Sequence, residues 1–501
     1  MNLKTHVLAI DQGTTGSTAL VFDRDGKVAG RGYSEFTQHF PQTGWVEHDA
    51  NEIWEVSLRV IEIALADAGI APEALAAIGI TNQRETVVIW DRETSEPVHR
   101  AIVWQDRRTA RQCDELKEAG HDALIQEKTG LVTDPYFSGT KVQWLLQTHP
   151  EILARARKGE LAFGTMDTWL IWKLSGGKVH ATDYTNASRT LLYNIHELAW
   201  DDELLTLFDV PYELLPEVRP SSTVFGETDA GVFFGASVPI AGNAGDQHAA
   251  LFGQACFEKG MVKNTYGTGS FLLMHTGGDA VPNSSGLLTT VAWGIEGAPV
   301  EYALEGSVFI SGAAIQWLRD GLGIIESAAE TEAMARSLDG NDDVYFVPAL
   351  AGLGAPHWDP YARGLIIGLT RGTTQAHLVR AALEAICYQS RDVMRAMTEE
   401  SGIPLKELRA DGGAVANGFL MQHQADILQV PIKVPTVSET TALGAAYLAG
   451  LAVEFWTSKQ EISERWQARE TYVPQSSAEH VNDLYAKWLS AVQRAEGWID
   501  R

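Results

Sequence analysis

Cysteine is scarce in this chain of 501 residues: three occur, Cys113, Cys256 and Cys387, far apart, with no CxxC pair and no Cys/His pair at metal-ligand spacing. This excludes a disulfide scaffold and a zinc site of the usual pattern, and it fits the reduced thiols of a cytoplasmic protein. No run of about 18 apolar residues is present, which argues against a transmembrane helix and stable membrane insertion. The opening "MNLKTHVLAIDQ" enters a strand pattern at once, without the apolar stretch of a signal peptide. Basic residues are outnumbered 39 to 65, for a formal charge of −26, which argues against nucleic acid or an anionic membrane as the main partner. Two nucleotide fingerprints are missing as well. No GxxxxGK[ST] occurs, and no GxGxxG joins a strand to a helix.

What is present is a device used twice. "LAIDQGTTGSTALVFD" begins as an apolar strand, passes through an acid, a glutamine and a Gly/Thr cluster, and ends as a second strand. A plain hairpin needs only two or three turn residues. The longer tip, Gly13 to Ser17, can turn several backbone N–H groups toward one anion. About half a chain later "GMVKNTYGTGSFLLMHTGG" repeats strand, Gly/Thr tip and strand. The pattern predicts two similar α/β halves, residues 1–252 and 253–501, facing each other across a cleft. Within them "DANEIWEVSLRVIEIALADAG" has helical spacing, with Asp49 or Asn51 as N-cap. "KVQWLLQTHPEILARARKG", "SVFISGAAIQWLRDG", "HLVRAALEAICYQSRDVMRAM" and "TTALGAAYLAGLA" read as further helices, and the acidic tail after about residue 455 reads as helical and peripheral.

Several polar groups sit where strands give way to loops, and each has a plain structural alternative. Asp11, beside the first tip, would repel a phosphate unless it carries a cation through water; otherwise it caps the turn. Arg84 and Glu85 in "GITNQRETVVIW" together suit a neutral polyol, one donating to hydroxyl oxygens and the other accepting hydroxyl protons. Otherwise they are an ion pair on the surface of a hairpin. Asp246 in "AGNAGDQHAALFG" is either an N-cap or a general base at the mouth of the cleft. In "ADGGAVANG" the paired Gly412 and Gly413 admit a flat ligand such as adenine, with Asn417 offering an amide, or they simply form a turn.

In this order and at these separations, "DQGTT", "TNQRET", "GDQHAALFGQ", "YGTGSF" and "DGGAVANGFLMQ" resemble the FGGY carbohydrate kinases. "GLIIGLTRGTTQAHLVRAALE" is similar to a further signature of that family. The resemblance implies two RNase H-like domains of the actin- and hexokinase-like ATPase fold, closing on ATP and a polyol. It implies transfer of phosphate from Mg-ATP to glycerol, giving sn-glycerol 3-phosphate, in a homodimer or homotetramer. The alternatives are another FGGY substrate such as dihydroxyacetone or xylulose, or a non-catalytic ATPase of the same fold. Carried over by residue, the resemblance implies that Arg84, Glu85, Tyr136 and Asp246 bind the hydroxyls with help from Gln247. Trp104 and Phe271 would pack on the carbons. Thr14, Thr15, Gly16, Thr268, Gly312, Gln316, Gly413 and Asn417 would contact nucleotide, Asp11 and Asp246 would lie at the metal, and Asp246 would act as base. One departure stands out: many members of the family have an Arg at the position of Thr18.

Overall fold

The computed structural model describes residues 4–282 and 284–499. The apolar alternation at the start produces the first sheet. His6–Gln12 and Gly16–Phe22 form the expected hairpin, and Val28–Glu35 completes a meander. Leu75–Asn82 then lies parallel to His6–Gln12, and Pro239–Gly245 lies parallel to Leu75–Asn82. Ser222–Glu227 closes the edge in the opposite direction. The second sheet repeats the plan. Met261–Tyr266, Ser270–Gly277 and Glu301–Val308 form a meander, Glu407–Gly412 and Ile432–Pro435 follow in parallel, and Ala468–Tyr472 is an antiparallel edge. The fold therefore has the two similar α/β halves that the repeated hairpin predicts, in the two-sheet arrangement that the family resemblance implies.

Helices cover these sheets for reasons visible in the chain. Ala50–Ala68 starts at Asp49, whose carboxylate accepts from the N–H groups of Asn51 and Glu52, and it ends at Gly69 in the left-handed conformation. Asp49, not Asn51, is the N-cap. Thr440–Ala452 comes from the second half of the chain but packs on the first sheet. Its small residues allow this: a Cβ on Gly79 would lie 2.2 Å from the Ala445 carbonyl oxygen, and one on Gly444 would lie 1.8 Å from that of Ala249. No helix among the described residues is long and apolar enough to cross a membrane, and all three cysteines are buried and unpaired.

Three expectations are corrected. "SVFISGAAIQWLRDG" is not one helix, because Ser307 and Val308 finish the strand Glu301–Val308 and the helix is confined to Gly312–Asp320. "KVQWLLQTHPEILARARKG" breaks into Ser138–Thr148 and Pro150–Ala156, as Pro150 disfavours helical geometry at His149. The tail is not peripheral. Ala468–Tyr472 extends the second sheet, and Ala478–Ala495 buries Val481, Tyr485, Trp488 and Val492 in the second core, at the spacing of one helix face.

Candidate active site

In the first sheet three adjacent parallel strands end side by side, with Gln12 beside Asn82 and Asn82 beside Gly245. The first tip, the loop bearing Arg84 and Glu85, and Asp246 therefore emerge from one edge, the carboxyl ends of the strands, where α/β sheets hold ligands. The second sheet does the same with Tyr266 beside Gly412, bringing the Gly267–Gly269 tip next to Gly413.

Arg84 and Glu85 are not a surface pair on a hairpin. Strand Leu75–Asn82 does not pair with Val88–Asp91, which runs antiparallel to Leu161–Gly164 instead, and both side chains are buried. Glu85 sits at φ 61° inside a three-residue turn closed by Thr86 N–H to the Arg84 carbonyl at 2.7 Å. Such a conformation in a non-glycine residue is strained by about 1–3 kcal/mol and is characteristic of functional sites. Arg84 places Nε 3.1 Å from Asp246 Oδ1 and 3.7 Å from Glu85 Oε1, and its Nη2 donates to the Tyr136 hydroxyl at 3.2 Å. Gly245 makes this approach possible, since a Cβ there would lie 2.6 Å from Arg84 Cγ.

Asp246 is not the N-cap, a place taken by Gly245; it is the first residue of the helix Asp246–Gly253. Its Oδ1 accepts from the Gln247 N–H at 2.7 Å. The Asp246 side chain is 32 % exposed while those of Glu85 and Arg84 are 1 % and 2 %. Asp246 is thus the most open carboxylate of this group. Gln247 accepts a short hydrogen bond from the buried ammonium of Lys263; burial lowers the Lys263 pKa to about 8.

Trp104 and Tyr136 meet edge to face with centroids 5.5 Å apart, and Trp104 Nε1 donates to Thr14 Oγ1 at 2.9 Å. The loop carrying Tyr136 is held from beneath by Lys141, whose ammonium donates to the carbonyls of Pro135, Tyr136 and Phe137. Phe271 lies on the same face of its strand as Leu273, which is paired with Glu305; Phe271 is therefore two residues nearer the tip than the buried charges.

At the first tip, Gly13 N–H is already bonded to the Gly16 carbonyl at 3.0 Å, and Gly16 and Ser17 belong to the strand. The convergent donors are fewer than the run Gly13 to Ser17 suggested; Thr14 and Thr15 make up the open part. Gly16 has a packing reason, because a Cβ there would lie 2.9 Å from the Tyr33 ring. At the second tip Thr268 is exposed and its carbonyl accepts from Ser311 and Ala313 N–H at 2.9 and 3.0 Å. Gly312 lies against Gly267, where a Cβ would meet the carbonyl oxygen at 2.6 Å, and Gln316 is exposed one turn further along. Above Gly413 a Cβ would meet nothing within 4 Å. Asn417 is less free than expected: Oδ1 caps the following helix at Leu420 N–H and Nδ2 donates to Thr331, both at 3.0 Å.

Asp11 makes no turn-capping bond, nor any other side-chain hydrogen bond or ion pair among the described residues. Thr18 stands opposite it across the hairpin. Enclosure and then the negative charges of Asp246 and Glu439 push its pKa up to about 7. A carboxylate crowded by acids and lacking a cationic partner fits a divalent cation, and the donor set is all oxygen, as a hard cation requires.

Two residues were not anticipated. Glu305, from the second sheet, takes both Arg84 Nη groups, at 2.6 and 2.9 Å. Arg189 donates through Nε to Glu85 at 2.7 Å and reaches Glu305 at 3.2 and 3.3 Å. An acid in the interior of the strand "EYALEGSV" was the available signal for Glu305; Arg189 in "ASRTLL" carried none.

Residues 6–253 match the N-terminal domain and residues 262–453 the C-terminal domain of the FGGY family of carbohydrate kinases. The chain is 60 % identical to glycerol kinase 2 of Thermotoga maritima over 99 % of its length and 100 % of the relative's. It is also 60 % identical to the glycerol kinase of Deinococcus radiodurans, over 100 % and 99 % of the two chains. The crystal structure of Plasmodium falciparum glycerol kinase with ADP superposes with a TM-score of 0.94 at 36 % identity, covering 98 % of each chain. The chain belongs to the FGGY family of carbohydrate kinases.

Proposed function

We propose that this protein transfers the γ-phosphoryl group of ATP to glycerol, forming sn-glycerol 3-phosphate, with Asp246 as general base. The observation that carries this reading is the half-open Asp246 carboxylate 3.1 Å from Arg84, beside Glu85, Tyr136 and Trp104. The relatives named above, at 60 % identity over the full chain, are glycerol kinases. The arrangement suits a small triol: Arg84 and the Tyr136 hydroxyl donate, Glu85 accepts, and the aromatic edges border the carbons.

In this reading the terminal hydroxyl of glycerol lies against Asp246, which takes its proton as the oxygen attacks phosphorus in line with the departing ADP oxygen. The start of Asp246–Gly253 turns the positive end of the helix dipole toward the Asp246 carboxylate. Thr14 and Thr15 on one side and Thr268 on the other hold the phosphates, while Gly312, Gln316, Gly413 and Asn417 border the nucleoside. Asp11 through water, together with Asp246, would hold Mg²⁺, which offsets phosphate charge when bound. The acceptor is tested by ADP release with Mg-ATP against glycerol, dihydroxyacetone, glyceraldehyde, xylulose, ribulose and no acceptor. Release strongest with glycerol and matched by glycerol 3-phosphate supports the reading. Preference for a pentulose would keep the fold and overturn the substrate. A homodimer or homotetramer in the cytoplasm completes the proposal, the first checked by light scattering.

A further inference from the structure

Beneath Arg84 and Glu85 lies a closed ionic group joining the two halves of the protein. Glu305 comes from strand Glu301–Val308 of the second sheet, and Arg84, Glu85 and Arg189 from the first half of the chain. The side chains of Glu305 and Arg189 are 0 % exposed and lie behind Arg84 and Glu85, away from the open Asp246 carboxylate. The charges balance, two guanidinium groups against two carboxylates, and Asp246 is the additional acid that opens to the cleft. Glu305 grips Arg84 through both Nη atoms, which fixes the plane of the guanidinium. The remaining direction, Nε, is thereby aimed at Asp246. Arg189 holds one oxygen of Glu85, which sets the orientation of a carboxylate already placed on a strained turn.

Resting on the glycerol reading above, we propose that Glu305 and Arg189 are positioning residues: they hold Arg84 and Glu85 in the geometry that recognises the polyol hydroxyls, and through Glu305 they tie that geometry to the second domain. A purely structural buried ion pair would affect stability when broken, and replacing all its charges together would relieve the penalty. A positioning role adds an effect on polyol affinity that survives the relief.

Three variants separate these. Glu305→Asp keeps the charge but withdraws it by one methylene; it should raise the KM for glycerol about tenfold or more, with the KM for ATP within about threefold of wild type. Glu305→Gln leaves two guanidinium groups sharing Glu85 and should lose both stability and glycerol affinity. The double change Glu305→Gln with Arg189→Gln restores the charge balance and should recover the melting temperature while the glycerol KM stays raised. Glycerol KM values within about threefold of wild type in Glu305→Asp and the double variant would overturn the proposal. So would failure of Glu305→Asp to fold, which would mark the role as structural only. Wild-type protein is assayed first with glycerol: absence of glycerol-dependent ADP release there fails the functional reading itself, whereas an active wild type with indifferent variants fails this inference alone.

Discussion

Trp104 Nε1 donates a hydrogen bond to Thr14 Oγ1 at 2.9 Å. The ring beside Tyr136 and the first Gly/Thr tip are thus joined directly, and in the proposed function this links acceptor binding to phosphate binding. Trp104→Phe keeps the aromatic surface and removes the donor. It should raise the KM for ATP about fivefold, the worth of one hydrogen bond of about 1 kcal/mol, and raise the KM for glycerol less. Steady-state kinetics with each substrate varied checks this.

Asp11 is the group expected to respond to magnesium. Asp11→Asn should raise the Mg²⁺ concentration for half-maximal activity by about tenfold or more, as removal of a partner acting through water does at other metal sites. In metal-free protein the sign reverses. A carboxyl with its folded pKa raised from 3.8 to about 7 contributes stability below pH 4 that is lost as pH rises through 7. Asn should therefore increase the melting temperature at pH 8 and have little effect near pH 4, which differential scanning fluorimetry can follow.

His48 supplies an acid-sensitive element. It is fully buried, with Nε2 at 2.8 Å from Gln38 Oε1 and Nδ1 at 3.4 Å from the Gln83 amide. A neutral ring that donates from Nε2 and accepts at Nδ1 satisfies both. Burial, and then His39, lower its pKa from 6.5 to about 4. The unfolded chain takes up this proton below pH 6.5 and the folded chain does not, so stability falls as pH drops from 6.5 to 4, by up to about 3 kcal/mol. Denaturant melts of His48→Gln across this range should show a shallower decline than wild type.

Gly444 and Gly413 predict opposite results for the same substitution. Gly444→Ala drives a Cβ to 1.8 Å from the Ala249 carbonyl oxygen and should destabilise by about 1–3 kcal/mol or more through overpacking. Gly413→Ala meets no atom within 4 Å; it should leave the melting temperature unchanged and raise the KM for ATP, because the added methyl enters the space assigned to nucleotide.

Much of the fold was legible because local pattern and final structure agree. The two Gly/Thr hairpins and the helix ending at Gly69 are written in contiguous residues, with the start of that helix narrowed to Asp49 or Asn51. What escaped depends on contacts distant in sequence. Thr440–Ala452 reads as a small-residue helix, but its seat against Gly79 and Gly242 of the first sheet is set by close approach of backbones. Glu305 and Arg189 gain meaning only when residues 116 positions apart meet. Glu85 could not be foreseen at positive φ, since no glycine marks the turn. The tail reads as peripheral because its charges dominate composition, while the stripe from Val481 to Val492 fills the second core.

The account turns on Asp246 as the base, and Asp246→Asn tests it most directly. The amide keeps the size of the carboxylate and cannot take the proton. Glycerol binding by calorimetry should stay within about threefold of wild type, while single-turnover transfer from Mg-ATP should fall by about 10²–10⁴. Transfer near the wild-type rate would contradict the assignment and remove Asp246 from the chemistry.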